Sequence, residues 1–316
     1  MKLLLFFIDG LGLGKNDESN PGRFLLNGIT DIPFTVDSVP AEFSEGMLLG
    51  IDATGGIPGL PQSATGQTML MTGVNASALL GYHLTAFPNE TLVDLICERN
   101  ILNLLSERGV SVTASNLYSP EYFHKKETLQ KKRGKNAFPV SALSIRSSRT
   151  PFRFMSDYNQ GKALFADLTN HALREKGFDI PLISPEDAAD RMADILKDVD
   201  FVFHEYFVTD TYAHKKRLPD LERALREVNR FLISLRKKTD PEETAVLLVS
   251  DHGNCEDSGS ADHTRNPVPL LLLCRKKEAR DAFRGISRLE EVPAGILAYF
   301  GLPAEDEILE NDCTWL

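Results

Sequence analysis

Residues 245–254 read Ala-Val-Leu-Leu-Val-Ser-Asp-His-Gly-Asn, an unbroken apolar run that ends on an acid and an imidazole. A run this short and this apolar is the pattern of a strand covered on both faces, as in a parallel sheet. Residues 3–8 (LLLFFI) repeat it and end on Asp9. Runs at 110–114, 201–207 and 268–274 read as further strands. Amphipathic stretches stand between them. One spans 92–107 and stops before Gly109; another spans 185–196, with Ser184 as N-cap and Glu186 and Asp187 in its first turn; others cover 221–237 and 291–300. A glycine-rich stretch, 54–66, leads into 68–73, which opens a further helix. Strands separated by helices predict an α/β fold with a mostly parallel sheet and helices on both faces. Such sheets gather ligands at the carboxyl ends of their strands, where Asp9 and Asp251 fall.

Residues 118–180 break the pattern. Basic residues crowd 124–135 (HKKETLQKKRGK), Arg146, Arg149 and Arg153 follow, and hydrophobic periodicity is weak. The expectation is a loop-rich insertion: residues 1–117 and 181–316 form the core, and 118–180 form a small inserted cap or substrate region. The three arginines are candidate binders of a second phosphate or carboxylate, with a solvated charged loop as the alternative.

The bulk numbers fit one large domain with an insertion, or two domains: 316 residues, 42% hydrophobic and 25% charged. A net charge of −10 disfavours nucleic acid and anionic membranes as partners. Cys97, Cys255, Cys274 and Cys313 show no paired spacing, which suits a reducing compartment. The run at 3–8 is shorter than the about 7–15 apolar residues of a signal peptide. No segment reaches the ~20 residues of a membrane span, so a cytoplasmic location is expected. Oligomeric state is not legible.

Four islands carry chemistry. Asp9 follows the first strand. Gly59–Thr68 (GLPQSATGQT) places hydroxyl residues in a glycine-rich turn before a helix, where Ser63 is a candidate nucleophile and Ser63 or Thr65 an alternative helix cap. Asp210 and His214 stand four apart, on one face of a helical turn, with oxygen and nitrogen donors suited to Zn or Mn. Asp251-His252 closes the run quoted above, and Asp262-His263 precedes the strand at 268–274. Burying an acid and an imidazole at a strand end would cost several kcal/mol without a partner, and a metal supplies one. Asp9, Asp251, His252 and Ser63 would share one metal, and Asp210, His214 and His263 a second, the two-ion arrangement that serves in-line displacement at phosphorus.

In order and content these islands resemble the alkaline phosphatase superfamily, and within it the cofactor-independent phosphoglycerate mutase and phosphopentomutase branch. Asp251-His252-Gly253-Asn254 and the HTxNPVP pattern at 263–269 are similar to the mutase motifs. Ser63, with Gly66 and Gly73, fits the frame of the nucleophile loop; phosphopentomutases use a Thr in that slot, and Thr68 is the second candidate. The resemblance spans roughly residues 1–115 and 183–303. It implies a three-layer αβα core of the alkaline phosphatase kind, two divalent metal ions (Mn, Zn or Mg), and a phosphoserine intermediate. Two departures matter. Gln67 stands where the mutase loop has His, and the large domain inserted in glycolytic mutases is absent. The sulfatase motif is absent around Ser63 as well. A small cap retains a reorienting intermediate poorly, so the expected activity is hydrolysis of a small phosphorylated metabolite. A phosphomutase of phosphoglycerate or a sugar phosphate is the alternative, and a metal-binding protein without catalysis a third reading.

Overall fold

A computed structural model describes residues 1–304; Cys313 lies outside the described residues. One sheet contains β1 (Lys2–Ile8), β2 (Ala41–Phe43), β3 (Gly46–Ile51), β4 (Val112–Ala114), β5 (Phe201–Tyr206), β6 (Thr244–Val249) and β7 (Val268–Leu273). Its spatial order is β2-β3-β7-β6-β1-β5-β4. The block β4-β5-β1-β6 is parallel, and β7, β3 and β2 continue it with antiparallel pairings. The α/β class and the mostly parallel sheet are as expected.

The central strand shows why the run at 3–8 carries no polar alternation. Leu4, Phe6 and Ile8 enter the core on one face, while Leu3, Leu5 and Phe7 enter the core on the other. With side chains alternating across the sheet, a strand between two helical layers is apolar on both sets of alternating positions.

In chain order the helices are α1 (Ser63–Thr72), α2 (Ala76–Leu80), α3 (Glu90–Glu98), α4 (Ile101–Glu107), α5 (Pro120–Arg133), α6 (Val140–Ser147), α7 (Met155–Asn159), α8 (His171–Glu175), α9 (Pro185–Asp198), α10 (Val208–His214), α11 (Leu218–Lys238), α12 (Lys277–Asp281) and α13 (Val292–Tyr299). α9 and α11 cover one face through Met192, Leu196, Val228 and Phe231, and α1, α3, α4, α6 and α13 cover the other. Ser184 caps α9 in a reciprocal box with Asp187. Among the described residues, no helix is long and apolar enough to cross a membrane.

Three local expectations differ from the structure. The stretch 92–107 is two helices, because Asn100 takes an extended conformation and accepts from the N–H groups of Leu102 and Asn103, starting α4 afresh. β2 and β3 lie in a segment whose glycine and acidic punctuation hides them, although β3 pairs with β7 and buries Met47, Leu48 and Ile51. The stretch 118–180 holds four helices, α5 to α8, rather than loops. α5 buries no residue, hence its missing hydrophobic pattern. α6 buries Val140, Leu143 and Ile145 against α1, α3 and α4, and so packs with the core layer.

Candidate metal centre

Strand register assembles the site. Phe7 of β1 pairs with Val249 of β6, so Asp9 and Asp251 each stand two residues beyond a paired position, at the same end of adjacent parallel strands. Ile8 pairs with Tyr206 of β5, and α10 begins two residues later, presenting Asp210 and His214 one turn apart. β7 runs antiparallel to β6, so the loop that enters it, with His263, returns to that same end. The first turn of α1 completes the ring. Gly66 lets this helix press on the turn after β6, since a Cβ there would lie 2.5 Å from the Asp251 carbonyl oxygen.

Two clusters result: Asp9, Asp251 and His252, and Asp210, His214 and His263, the donor atoms of each lying within 4.8 Å of one another. In the first, His252 Nε2 lies 3.1 Å from Ser63 Oγ, 3.4 Å from Asp9 Oδ1 and 3.5 Å from Asp251 Oδ2. Asp251 and His252 are fully buried, and Asp9 Oδ1 is buried without a hydrogen-bond partner. Burial first, then the neighbouring acids Asp251, Asp210 and Glu205, pushes the Asp9 carboxyl well above the usual range. Burial, with Asp210, pushes Asp251 up to about 7, and burial, with His263, lowers His252 to about 3. Packed acids with an orphaned oxygen are an arrangement that a cation relieves.

In the second cluster, His214 Nδ1 lies 2.7 Å from the Ala261 carbonyl and His263 Nδ1 2.7 Å from the Pro61 carbonyl. A carbonyl accepts only, so both Nδ1 atoms carry the proton. Their Nε2 atoms face each other at 3.1 Å, with Asp210 Oδ1 at 3.3 Å from one and 3.7 Å from the other. In neutral rings those are two lone pairs and a carboxylate aimed at one point, the donor set and tautomer of a metal site. Both clusters therefore fit a divalent ion.

Ser63 is the first residue of α1, and Gln62 is the N-cap residue, so Ser63 is not spent on capping. Thr65 Oγ1 donates to the Gln62 carbonyl and Thr68 Oγ1 to the Ala64 carbonyl, both from buried positions inside the helix. Ser63, unlike either threonine, lines a cavity of about 630 Å³ together with Asp9, Asp210, His214 and His263.

The three arginines are not on that wall. Arg153 donates to Thr113 Oγ1 at 2.9 Å and pairs with Asp157 at 3.6 Å. Arg146 lies over the Phe138 ring, and Arg149 sits at φ 55° in the turn after α6. Lys126 of α5 faces the cavity instead, with Glu205, Tyr118 and Tyr122. Sequence reasoning gave none of these four a role, nor Asn254, noted only within the motif after β6, which donates to Asp210 Oδ1 at 2.7 Å. Gln67, noted only as a departure, donates to Asp251 Oδ2 at 3.1 Å. Two polar residues in an otherwise apolar strand, His204 and Glu205, were the signal available for the cavity wall.

The chain is similar to known proteins in sequence and in fold. The family model described as the Metalloenzyme superfamily matches residues 177–304. The 2,3-bisphosphoglycerate-independent phosphoglycerate mutase of Thermococcus kodakarensis is 26% identical over 161 residues, 45% of this chain and 38% of that protein. The phosphopentomutase of Rhizobium etli is 29% identical over 120 residues, 37% of this chain and 29% of that one. The match thus spans well under half the length of these relatives. In fold, the chain is similar to the alkaline phosphatase from the Antarctic bacterium TAB5, with TM-score 0.55 and 12% identity over 95% of this chain and 98% of that one. It is also similar to the PH0037 protein from Pyrococcus horikoshii, with TM-score 0.52 and 16% identity over 96% of this chain and 98% of that one. Sequence and fold together bear out the resemblance to the alkaline phosphatase superfamily of metalloenzymes and to its phosphoglycerate mutase and phosphopentomutase branch.

Proposed function

We propose that the chain is a metal-dependent phosphoryl-transfer enzyme that hydrolyses a small phosphomonoester through a phosphoserine at Ser63. The observation that carries this reading is the placement of Ser63 Oγ, 3.1 Å from His252 Nε2 on the cavity wall, with both donor clusters around it. Asp9, Asp251, His252 and Ser63 would hold one divalent ion and Asp210, His214 and His263 another. Bound there, such ions supply the positive charge that favours the serine alkoxide and offsets charge on the phosphoryl oxygens. The protein's own groups do the rest. The first N–H groups of α1, which have no carbonyl partner within the helix, would meet a phosphoryl group bound beside Ser63. Gln67 and Asn254 hold the Asp251 and Asp210 carboxylates by their side-chain amides. Ser63 gives up its hydroxyl proton to solvent as Oγ bonds to phosphorus, and the departing ester oxygen takes up a proton from solvent. Water then cleaves the phosphoserine, releasing inorganic phosphate and restoring the hydroxyl.

The names of the relatives favour a second reading, a phosphomutase on a sugar phosphate or phosphoglycerate. One experiment separates the two: purified protein with Mn²⁺, Zn²⁺ or Mg²⁺, assayed on a panel of phosphomonoesters. Release of inorganic phosphate supports hydrolysis. An isomerised ester with no phosphate released supports the mutase, and no turnover of any ester with two metals bound would leave a binding protein.

A further inference from the structure

β5 alternates between the two cores, and Phe201 and Phe203 point into the same one. The next residue on that side is Glu205, an acid where a hydrophobe would extend the core. It is 8% exposed and lines the cavity. One carboxylate oxygen accepts from Ser141 Oγ at 2.7 Å. Asn116 beside it is already committed, its amide exchanging two 2.8 Å hydrogen bonds with the Glu205 backbone. Lining the same cavity, Lys126 lays its ammonium on the Phe87 ring at 4.4 Å and near the Tyr122 ring at 5.5 Å. Among the described residues no ion pair links Lys126 to Glu205, although both face the same space. Tyr118 and Tyr122 add aromatic surface to the same cavity.

We propose that this wall, Glu205, Lys126, Tyr118, Tyr122 and Phe87, recognises the organic part of the substrate, and that this part is a flat nitrogen heterocycle presenting a donor beside an acceptor, as in a nucleoside monophosphate. The inference rests on the phosphoryl-transfer reading above and names its substrate class. Ring faces of Phe and Tyr stack on a planar base whatever its identity. The donor edge satisfies Glu205 and the neighbouring acceptor satisfies Lys126, so acid and ammonium are bridged by the ligand. A polyol would leave hydroxyls unpaired against rings, because Asn116 and Ser141 are already engaged. A second phosphate or carboxylate would meet one lysine together with a buried acid. The cavity, at about 630 Å³, lies within the range that encloses a ligand of this size.

Binding measured without turnover tests the inference separately from the chemistry. Ser63→Ala protein loaded with Mn²⁺ is titrated calorimetrically with nucleoside 5′-monophosphates and with ribose 5-phosphate, which keeps the sugar and phosphate and lacks the base. The nucleotide is expected to bind at least about tenfold more tightly, from one charge-assisted hydrogen bond and stacking. Glu205→Gln in the same background removes most of that preference. So does Lys126→Ala, on a helix with no fully buried residue, with an unchanged urea midpoint expected as the check on folding. Equal affinities for the two ligands, or variants that weaken both in proportion, overturn the inference. A nucleotide preference in a protein whose wild type turns over no ester would keep the recognition site and overturn the phosphoryl-transfer reading alone.

Discussion

Glu256 Oε2 accepts the backbone N–H of Gly12 at 3.0 Å, joining the loop after β1 to the turn after β6. The same carboxylate accepts from the Asn254 N–H at 2.8 Å, from Asn266 Nδ2 at 3.0 Å and from the Thr264 hydroxyl. It is 1% exposed. One buried side chain thus ties the three segments that carry Asp9, Asp251-His252 and His263. Gly12 has no side chain where it meets this group: a Cβ there would overlap the Glu256 carboxylate.

Removing that tie should loosen the metal centre before it unfolds the chain. Glu256→Ala leaves four donors unpaired and is expected to lower stability by about 3 kcal/mol in urea unfolding. It should also weaken Mn²⁺ binding at least about tenfold by calorimetry, with Glu256→Gln intermediate. Metal affinity unchanged in a destabilised Ala variant would reduce Glu256 to a packing role.

Ser63→Ala removes the oxygen that would bond to phosphorus. Phosphate release should fall by at least about 10³-fold in kcat/KM, while metal content stays near two per chain. Thr68→Val should change kcat/KM less than about threefold, because its hydroxyl is already bonded within α1. The reverse ranking would move the nucleophile to Thr68.

His214 and His263 aim their Nε2 atoms at one point. His214→Ala should drop bound metal from two equivalents to one by elemental analysis of dialysed protein, and abolish most turnover. Retention of two equivalents would mean that the second cluster is not a site.

Burial pushes the Glu205 carboxyl from 4.5 up to about 7, the Ser141 hydroxyl opposing, the Asp251 carboxylate adding, and the Lys126 ammonium opposing. Asp9 faces the same group. The native chain therefore keeps this proton to higher pH than the unfolded chain does. Its contribution to stability is complete below about pH 4 and is lost as pH rises through about 7. In metal-free protein, Glu205→Gln should gain on the wild type over that window, by roughly 3 kcal/mol at most, the order of magnitude that so raised a carboxyl implies. Urea midpoints from pH 4 to 8 measure it, and a difference that does not change with pH would contradict the assignment.

Arg153 is held by Thr113 and Asp157, away from the cavity. Arg153→Ala should leave KM for any phosphomonoester within about twofold and act on stability, by less than about 1 kcal/mol for a partly exposed pair. A tenfold rise in KM would return it to the substrate site.

By itself the sequence determined the layered core and the inventory of donors. A strand buried on both faces is mostly apolar, which makes β1, β6 and β7 legible, and β5 through its Phe201-Val202-Phe203 start, and an Asp or His just past such a strand stands out against that background. Tertiary structure decided which hydroxyl faces the donors, because Ser63, Thr65 and Thr68 share one short helix and only its direction of packing separates them. It also decided the substrate wall. Charge density in 118–180 pointed to Arg146, Arg149 and Arg153, yet the charged residues on that wall of the cavity are Lys126 from α5, a helix with no fully buried residue, and Glu205 near the end of β5. Their meeting depends on contacts between segments some 80 residues apart in the chain, and no local pattern encodes a contact of that kind.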